Sequence, residues 1–271
     1  MTFSVTLALS GYAGWSFLKR TEARQMATLT KDPVVARDEA YFRSHIATAT
    51  TAEALVKDKR LLHVALRAFG LEDDVGKTYF ITKVLAQGTD DFADLANKLT
   101  DKRYAQLADA FGFADGTPAT TAAGFAEKII DRYREQTFQN AVGEVNGAFR
   151  TALFAESQLP NMATSTSTER TKWYSVIGST ALNEVFQTAF GLSSSFGALD
   201  VDLQVDMLQR KSRQFLGSSS VGQFSDPAKV EKLLRLYLVR NQIAEGTAGN
   251  SSGSAALTLL QSAGTSYSSR Y

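Results

Sequence analysis

The sequence predicts an all-α protein, a multi-helix bundle with a weak internal repeat and one long helix. Three observations carry this prediction. Apolar residues recur at three- and four-residue spacing along most of the chain, which places them on one face of a helix. Only 4 of the 271 residues are proline, and proline is the residue that interrupts helices most strongly. A motif at predicted helix ends also returns along the chain. We expect about nine to eleven helices.

The recurring motif starts with Asp-Lys-Arg and ends with Ala-Phe-Gly. One copy runs from Asp58 to Leu71 and a second from Asp101 to Phe113, while residues 189–192 repeat the ending alone. Aspartate is a favourable N-cap residue. Glycine adopts the left-handed conformation that ends a helix, and the next apolar residue can pack back onto the last turn in a Schellman motif. The motif therefore predicts helical units that end at Gly70, Gly112 and Gly191.

Other helix boundaries follow from caps and breaks, taken in chain order. The first helix is expected from about Tyr12 to Thr28. Two pairs have capping-box spacing, a hydroxyl followed three residues later by a carboxylate. These pairs are Thr50 with Glu53 and Thr166 with Glu169.

The longest predicted helix covers Thr120 to Gln158, with Gly143 and Gly147 as weak points and Pro160 as its end. Asp226-Pro227 predicts the start of the last helix, because it places an N-cap acid before a proline at the first helical position. Gly246 is expected to end that helix.

These boundaries divide the chain into three segments. Residues 1–30 form an N-terminal helix and residues 31–246 a repeated helical domain, in which a subdivision near residues 160–168 is left open. Residues 247–271 form a Ser/Gly-rich tail that is expected to be flexible. Within the tail, residues 255–260 are an apolar patch suited to docking.

Composition excludes several classes of function. The net charge is +1, so nothing favours nucleic-acid binding. The absence of cysteine excludes disulfides and thiolate chemistry. No run of about 18 apolar residues predicts a transmembrane helix. The N-terminus lacks the basic residues that precede the apolar run of a cleaved secretory signal. We therefore expect neither membrane insertion nor a cleaved leader.

Two glycine-containing patterns resemble catalytic or nucleotide-binding motifs. Gly70 to Thr78 reads G-L-E-D-D-V-G-K-T, but it has one residue too many, three acids and a preceding helix where a phosphate-binding loop needs a strand. Gly249 to Gly253 matches G-x-S-x-G inside a serine-rich tail, without the strand-turn-helix context of a nucleophile elbow. We interpret the first as two helix ends and the second as chance.

The remaining chemistry-bearing residues are isolated. Ser16 and Lys19 have S-x-x-K spacing without the companion elements of that catalytic motif. His45 and His63 lack partners at metal-ligand spacing. The bases at 128, 132 and 134 alternate with acids at 127, 131 and 135, which is typical of a solvated helix face. The sequence thus predicts no catalytic residue, no cofactor-binding residue, no metal ligand and no cofactor, and hence a protein that is not an enzyme.

One stretch resembles a known family. Residues 58–74, D-K-R-L-L-H-V-A-L-R-A-F-G-L-E-D-D, look like the signature of domain-of-unknown-function family 1217. The similarity continues at Ala189-Phe190-Gly191-Leu192, Phe196, Leu199-Asp200-Val201-Asp202 and Gln204, and it covers most of residues 30–245. The resemblance implies an all-α fold of repeated helical units. Members occur mainly in alphaproteobacteria, often coded beside flagellar genes, and the family offers no catalytic residues to carry over.

From the resemblance, the long helix and the tail, we expect a non-enzymatic, flagellum-associated structural or assembly protein that acts through helix-mediated contacts. Its expected partners are flagellar components, with self-association also open, and its expected location is the bacterial flagellum or the cytoplasm. The alternative is a cytoplasmic helical adaptor or chaperone for flagellar export substrates.

Overall fold

A computed structural model describes residues 3–7, 9–114 and 116–265, with side chains described as far as residue 246. Within these ranges it contains thirteen α-helices, five short 3-10 helices and no strand. The all-α prediction is confirmed. The helices outnumber the expected nine to eleven because several are short, such as α6 with 4 residues. The 3-10 helices are Ile46–Thr48, Glu72–Asp74, Ala119–Thr121, Ser194–Ala198 and Val221–Ser225.

The chain divides into two compact units. The first unit is Met1–Thr6 with Leu18–Val145, and the second is Leu7–Phe17 with Asn146–Tyr271. Residues 160–168, where a subdivision was left open, lie wholly within the second unit.

The first unit contains most of α1 and all of the next seven helices. They are α1 (Gly11–Leu29), α2 (Pro33–His45), α3 (Ala52–Lys57), α4 (Lys59–Ala68), α5 (Thr78–Gln87), α6 (Leu95–Lys98), α7 (Arg103–Phe111) and α8 (Phe125–Val145). In its core α4 packs on α8, and Leu62, Leu66 and Ile129 are fully buried. Such burial stabilises the unit by about 1.5–3 kcal/mol for each large aliphatic side chain.

The second unit contains the remaining helices and the start of α1. They are α9 (Gly147–Thr164), α10 (Glu169–Gly178), α11 (Thr180–Phe190), α12 (Val201–Leu216) and α13 (Pro227–Thr265). Its core centres on Phe186, whose ring meets Trp173 and Phe224 edge to face at centroid distances of 5.4 and 5.5 Å. This is the geometry that aromatic pairs prefer.

The repeated glycine stops are confirmed. Gly70 has a φ of 68°; its N–H donates to Arg67 O, and the Leu71 N–H donates to Leu66 O, at 3.0 and 2.9 Å. These two bonds define a Schellman motif. Gly191, with a φ of 63°, ends α11 with the same pair of bonds.

The middle copy ends its helix by a different route. Gly112 is left-handed, but its N–H donates to Ala108 O at 3.0 Å, which is the simpler αL motif. Phe113 packs instead on Phe111, with ring centroids 5.7 Å apart. The predicted stop at Gly112 is therefore confirmed, and its predicted Schellman bonding is wrong.

The two Asp-Lys-Arg starts also differ. The Asp58 carboxylate accepts hydrogen bonds from the Arg60 and Leu61 N–H groups at 3.0 and 3.1 Å, as an N-cap should. Asp101 lies one residue further from its helix and accepts from the Arg103 N–H at 3.0 Å. Each aspartate nevertheless satisfies a free donor at the start of a repeated helix.

The prediction of one helix from Thr120 to Gln158 is wrong, because α8 and α9 are separate helices. Asn146 has extended backbone (φ −150°, ψ 107°), and its side chain accepts from the Phe149 N–H at 3.0 Å. It therefore caps a new helix, α9.

Pro160 does not end α9. Proline removes a single intrahelical bond, and the helix continues to Thr164, whose hydroxyl donates to the Pro160 carbonyl at 3.1 Å.

The longest helix in the described part of the chain is α13, with 39 residues. It begins at Pro227 as predicted, and Asp226 accepts from the Ala228 N–H at 2.9 Å. The predicted end at Gly246 is wrong, because a glycine inside a helix costs only about 1 kcal/mol. The predicted tail, residues 247–271, is helical as far as Thr265. Residues 266–271 lie outside the described residues, and flexibility of the tail stays a prediction.

Both capping-box predictions are wrong by one or two residues. Thr51 caps α3 by accepting from the Ala54 N–H at 3.1 Å, and Thr168 caps α10 by accepting from the Thr171 N–H at 3.2 Å. Packing selects these positions: with Thr51 as the cap, Ala52 and Leu55 face the core of the first unit.

Candidate protein-contact site

The first unit exposes one large aromatic side chain almost completely. Phe92 is 91% exposed, more than any other large hydrophobic residue among those described. It lies in residues 88–94 between α5 and α6, which we call the Phe92 loop. A fully exposed phenylalanine lacks the burial that most phenylalanines gain on folding.

Local hydrogen bonds fix the conformation of the Phe92 loop. The Asn97 amide donates to the carbonyls of Thr89 and Asp91, both at 2.8 Å. The Asp94 carboxylate accepts from the Asp91 N–H at 2.8 Å, and the Asp91 carboxylate accepts from the Ala93 N–H, also at 2.8 Å. Side chains thus satisfy the loop backbone and hold the residues on either side of Phe92.

A small apolar cluster supports the loop from below. Val84, Ala96 and Ala108, from α5, α6 and α7, are at most 1% exposed and pack together. The Leu95 N–H at the start of α6 also donates to the Gln87 side chain at 3.0 Å. The loop is therefore anchored to packed helices at both ends.

A buried carboxylate ties α7 to the turn after α4. Asp74 is 6% exposed; it accepts a hydrogen bond from the Tyr104 hydroxyl and pairs with Lys77 at 2.7 Å. Burial and the bond to Asp74 raise the pKa of Tyr104 to about 12. Burial opposes ionisation of Asp74, but the donors Lys77 and Tyr104 outweigh it and lower the pKa of that carboxyl.

The start of the second motif copy contacts the end of the first. The Arg103 guanidinium donates to the Gly70 carbonyl and is held by Asp101, with Nη2 at 2.7 Å from the carboxylate. A Cβ on Gly70 would lie 3.2 Å from Arg103 Nη1 and 3.3 Å from Gln136 Oε1. The recurrent residues therefore join successive helical units, which is a structural role.

The phosphate-loop-like stretch is a helix end, a 3-10 turn and a helix start, as the sequence indicates. Residues 72–74 form the turn, and α5 begins at Thr78. The lysine that a phosphate would need is paired with Asp74. Residues 249–253 lie inside α13, where helical backbone cannot form a nucleophile elbow.

The isolated polar residues serve local packing. Lys19 pairs with Glu22 at 2.5 Å on α1. His45 stacks on Tyr41 with ring centroids 4.0 Å apart, and His63 meets the Tyr133 ring edge at 6.5 Å. Among the residues that the structure describes, no group of three or more His, Asp or Glu side chains is arranged to hold a metal ion.

The acids and bases of α8 pair partly with other helices of the first unit. Arg134 reaches the buried Glu39 of α2 at 2.5 Å, and Glu127 pairs with Arg43 of α2 at 2.6 Å. The charge pattern in the sequence predicts a solvated face. Part of it is an interhelical contact, which residue spacing alone does not reveal.

The sequence does not single out the Phe92 loop, because Phe92, Leu95 and Leu99 have the three- and four-residue spacing of an apolar helix face. A signal was available. Between Gly88 and Asp94 the chain carries three aspartates around one phenylalanine, and such a cluster is typical of a loop.

The fold and the site define an all-α protein with repeated helices and an exposed aromatic loop in its first unit. The family described as protein of unknown function (DUF1217) matches residues 68–230, which is more than half of the chain. The protein belongs to this family.

Among solved structures, the chain is similar to a crystal structure of a protein from Agrobacterium tumefaciens, determined by a structural genomics consortium. The two are 30% identical, the match covers 89% of this chain and 99% of that one, and the TM-score is 0.71. Comparison with curated proteins gives no match. Within the described part of the chain, none of the helices has the length and apolar character needed to cross a bilayer.

Proposed function

We propose that this protein is a non-enzymatic, flagellum-associated structural or assembly protein that binds protein partners through the Phe92 loop. The observation that carries the contact role is the 91% exposure of Phe92 on a loop whose backbone is fixed by hydrogen bonds. The flagellar assignment is supported by the resemblance to a family whose members are often coded beside flagellar genes.

An exposed aromatic side chain on a fixed loop is suited to contact with a protein partner. Aromatic residues supply much of the binding energy at protein interfaces, where a few side chains dominate. Hydrogen bonds from Asn97 and to Asp94 fix the loop conformation in the unbound protein. Little conformational entropy is then lost on binding, and preorganisation of this kind raises affinity.

The test is complementation of a deletion strain. Wild type, Phe92→Ala and Tyr79→Ala are expressed separately, and motility and cross-linked flagellar partners are compared. Tyr79 is a matched control, since it is 73% exposed on α5 and lies outside the loop. We expect Phe92→Ala alone to reduce motility and partner recovery. Equal behaviour of the two variants would contradict the contact role.

The adaptor or chaperone alternative makes a different prediction in the same strains. It requires a cytoplasmic complex with one export substrate and no protein in the appendage. Recovery of such a complex, with the appendage free of this protein, would replace the structural role by that of an adaptor.

A further inference from the structure

The second unit carries a surface that complements the Phe92 loop. Phe215, near the end of α12, is half-buried and has two cations close to its ring. Lys211 Nζ lies 5.8 Å and Arg240 Cζ 5.1 Å from the ring centroid. With the exposed Arg213, these residues form what we call the basic patch.

The basic patch is fixed by packing. The Phe190 ring stacks on Phe215, with centroids 5.6 Å apart and an angle of 12° between the planes. Arg240 lies against the helix stop at Gly191, where an added Cβ would fall 2.5 Å from its Nη1. The guanidinium is thus placed at the negative end of the α11 dipole. Phe190 and Arg240 hold the half-buried Phe215 ring, and Lys211 and the exposed Arg213 place positive charge near it.

The charge patterns of the loop and the patch are opposite. The loop has three acids, Asp90, Asp91 and Asp94, and no base within residues 88–94. The patch lies on two acid-free stretches, residues 207–225 and 232–244, which carry three bases each. The nearest acid along α12 is Asp206, one turn before Arg210. Complementary potentials of this kind select partners and orient them.

We infer that the partner of the Phe92 loop is a second copy of this protein, whose basic patch receives Phe92 while the loop aspartates meet Lys211 and Arg213. This rests on the proposed contact role of the loop. The loop and the patch are different surfaces, so the contact is heterologous. Each copy carries one loop and one patch. A pair of copies therefore still has one unoccupied loop and one unoccupied patch.

Sedimentation over a range of protein concentrations, at low and at high salt, tests the contact. Wild type should associate progressively, and salt should weaken the association because exposed charges are screened. Phe92→Ala and Lys211→Glu should each lower the association affinity roughly tenfold or more, because each change removes a central interface residue. Lys211 is chosen over Arg240 because Arg240 also packs against Gly191.

Two controls separate the contact from general effects. Tyr79→Ala removes an exposed aromatic from the same unit, and Lys31→Glu makes the same change of charge at an exposed residue of the first unit. Both should associate like wild type. Circular dichroism should show that all four variants are folded.

The decisive experiment mixes the Phe92→Ala variant with the Lys211→Glu variant. The first variant keeps an intact patch and the second an intact loop, so the mixture should form dimers that grow no further. A monomeric wild type at every concentration, or association unchanged in either variant, would overturn the inference. Loss of motility in Phe92→Ala with a monomeric wild type would leave the proposed function standing and make the partner a different protein.

Discussion

Replacement of Gly70 by alanine tests the repeated helix stop, the feature that joins the helical units. A non-glycine residue in the left-handed region costs about 1–2 kcal/mol, and Gly70 has a φ of 68°. The new Cβ would also lie 3.2 Å from Arg103 Nη1, so the guanidinium has to shift slightly and its hydrogen bond to the Gly70 carbonyl is weakened. Losing that charged hydrogen bond altogether would add on the order of 1–2 kcal/mol, reduced because the Arg103 side chain is 46% exposed. The expected loss is about 2–3 kcal/mol, of which about 1–2 kcal/mol is the backbone cost and no more than about 1 kcal/mol comes from the weakened hydrogen bond.

Gly124 provides a matched control. Its φ is 81°, and apart from its own chain neighbours no atom of the described residues lies within 4 Å of the position its Cβ would take. Gly124→Ala should therefore cost about 1–2 kcal/mol, the backbone contribution alone. The difference between the two variants isolates the contact with Arg103.

Urea titration followed by far-UV circular dichroism measures both variants. We also expect Gly70→Asn to be less damaging than Gly70→Ala, because asparagine tolerates the left-handed region better than other non-glycine residues. Equal losses for Gly70→Ala and Gly124→Ala would refute the role of Arg103. Unchanged stability in both would refute the helix-stop interpretation altogether.

Three further predictions concern caps and buried polar groups. Tyr104→Phe should destabilise by about 1–2 kcal/mol, because it leaves the buried Asp74 short of a donor; an equal effect of Tyr79→Phe in urea titrations would argue against this. Since the pKa of Asp74 is lowered in the fold, its contribution is present above the unfolded value of about 3.9 and is lost as the pH falls through the folded value. Asp74→Asn should therefore lose less stability than wild type on acidification, and parallel pH curves would contradict the assignment. Asn146→Ala should cost about 1 kcal/mol by removing the cap of α9. A gain in stability and helix content would instead support the prediction of one continuous helix.

Local signals were sufficient for much of the fold. Helical spacing and scarce proline predicted the all-α class. The stops at Gly70 and Gly191 were predictable because their bonding involves residues within five positions. The start of α13 at Pro227 is similarly local, since cap and helix are adjacent in the sequence.

The errors arose where tertiary packing decides between local options. Asn146 and Gly147 permit either a bend or a new helix, and the break lies at the boundary between the two units. Thr50 and Thr51 are both acceptable caps by residue type, and burial of Ala52 and Leu55 selects Thr51. Such choices depend on contacts that are distant in sequence.

The candidate site was predicted least well. Phe92 fits the apolar stripe by residue type, and its exposure follows from the hydrogen bonds that Asn97 and Asp94 make to the loop backbone. The basic patch joins residues 211–215 of α12 to Arg240 of α13, which lies 25 positions after Phe215. Residue spacing gives no indication of such a cluster.

The location of the protein in the cell tests the central claim most directly. Tagged protein is followed through sheared flagella, basal bodies, membrane and cytoplasm of intact cells. A flagellum-associated structural or assembly protein should appear in the appendage or its basal body. Protein confined to the cytoplasm, together with normal motility in the deletion strain, would contradict the account.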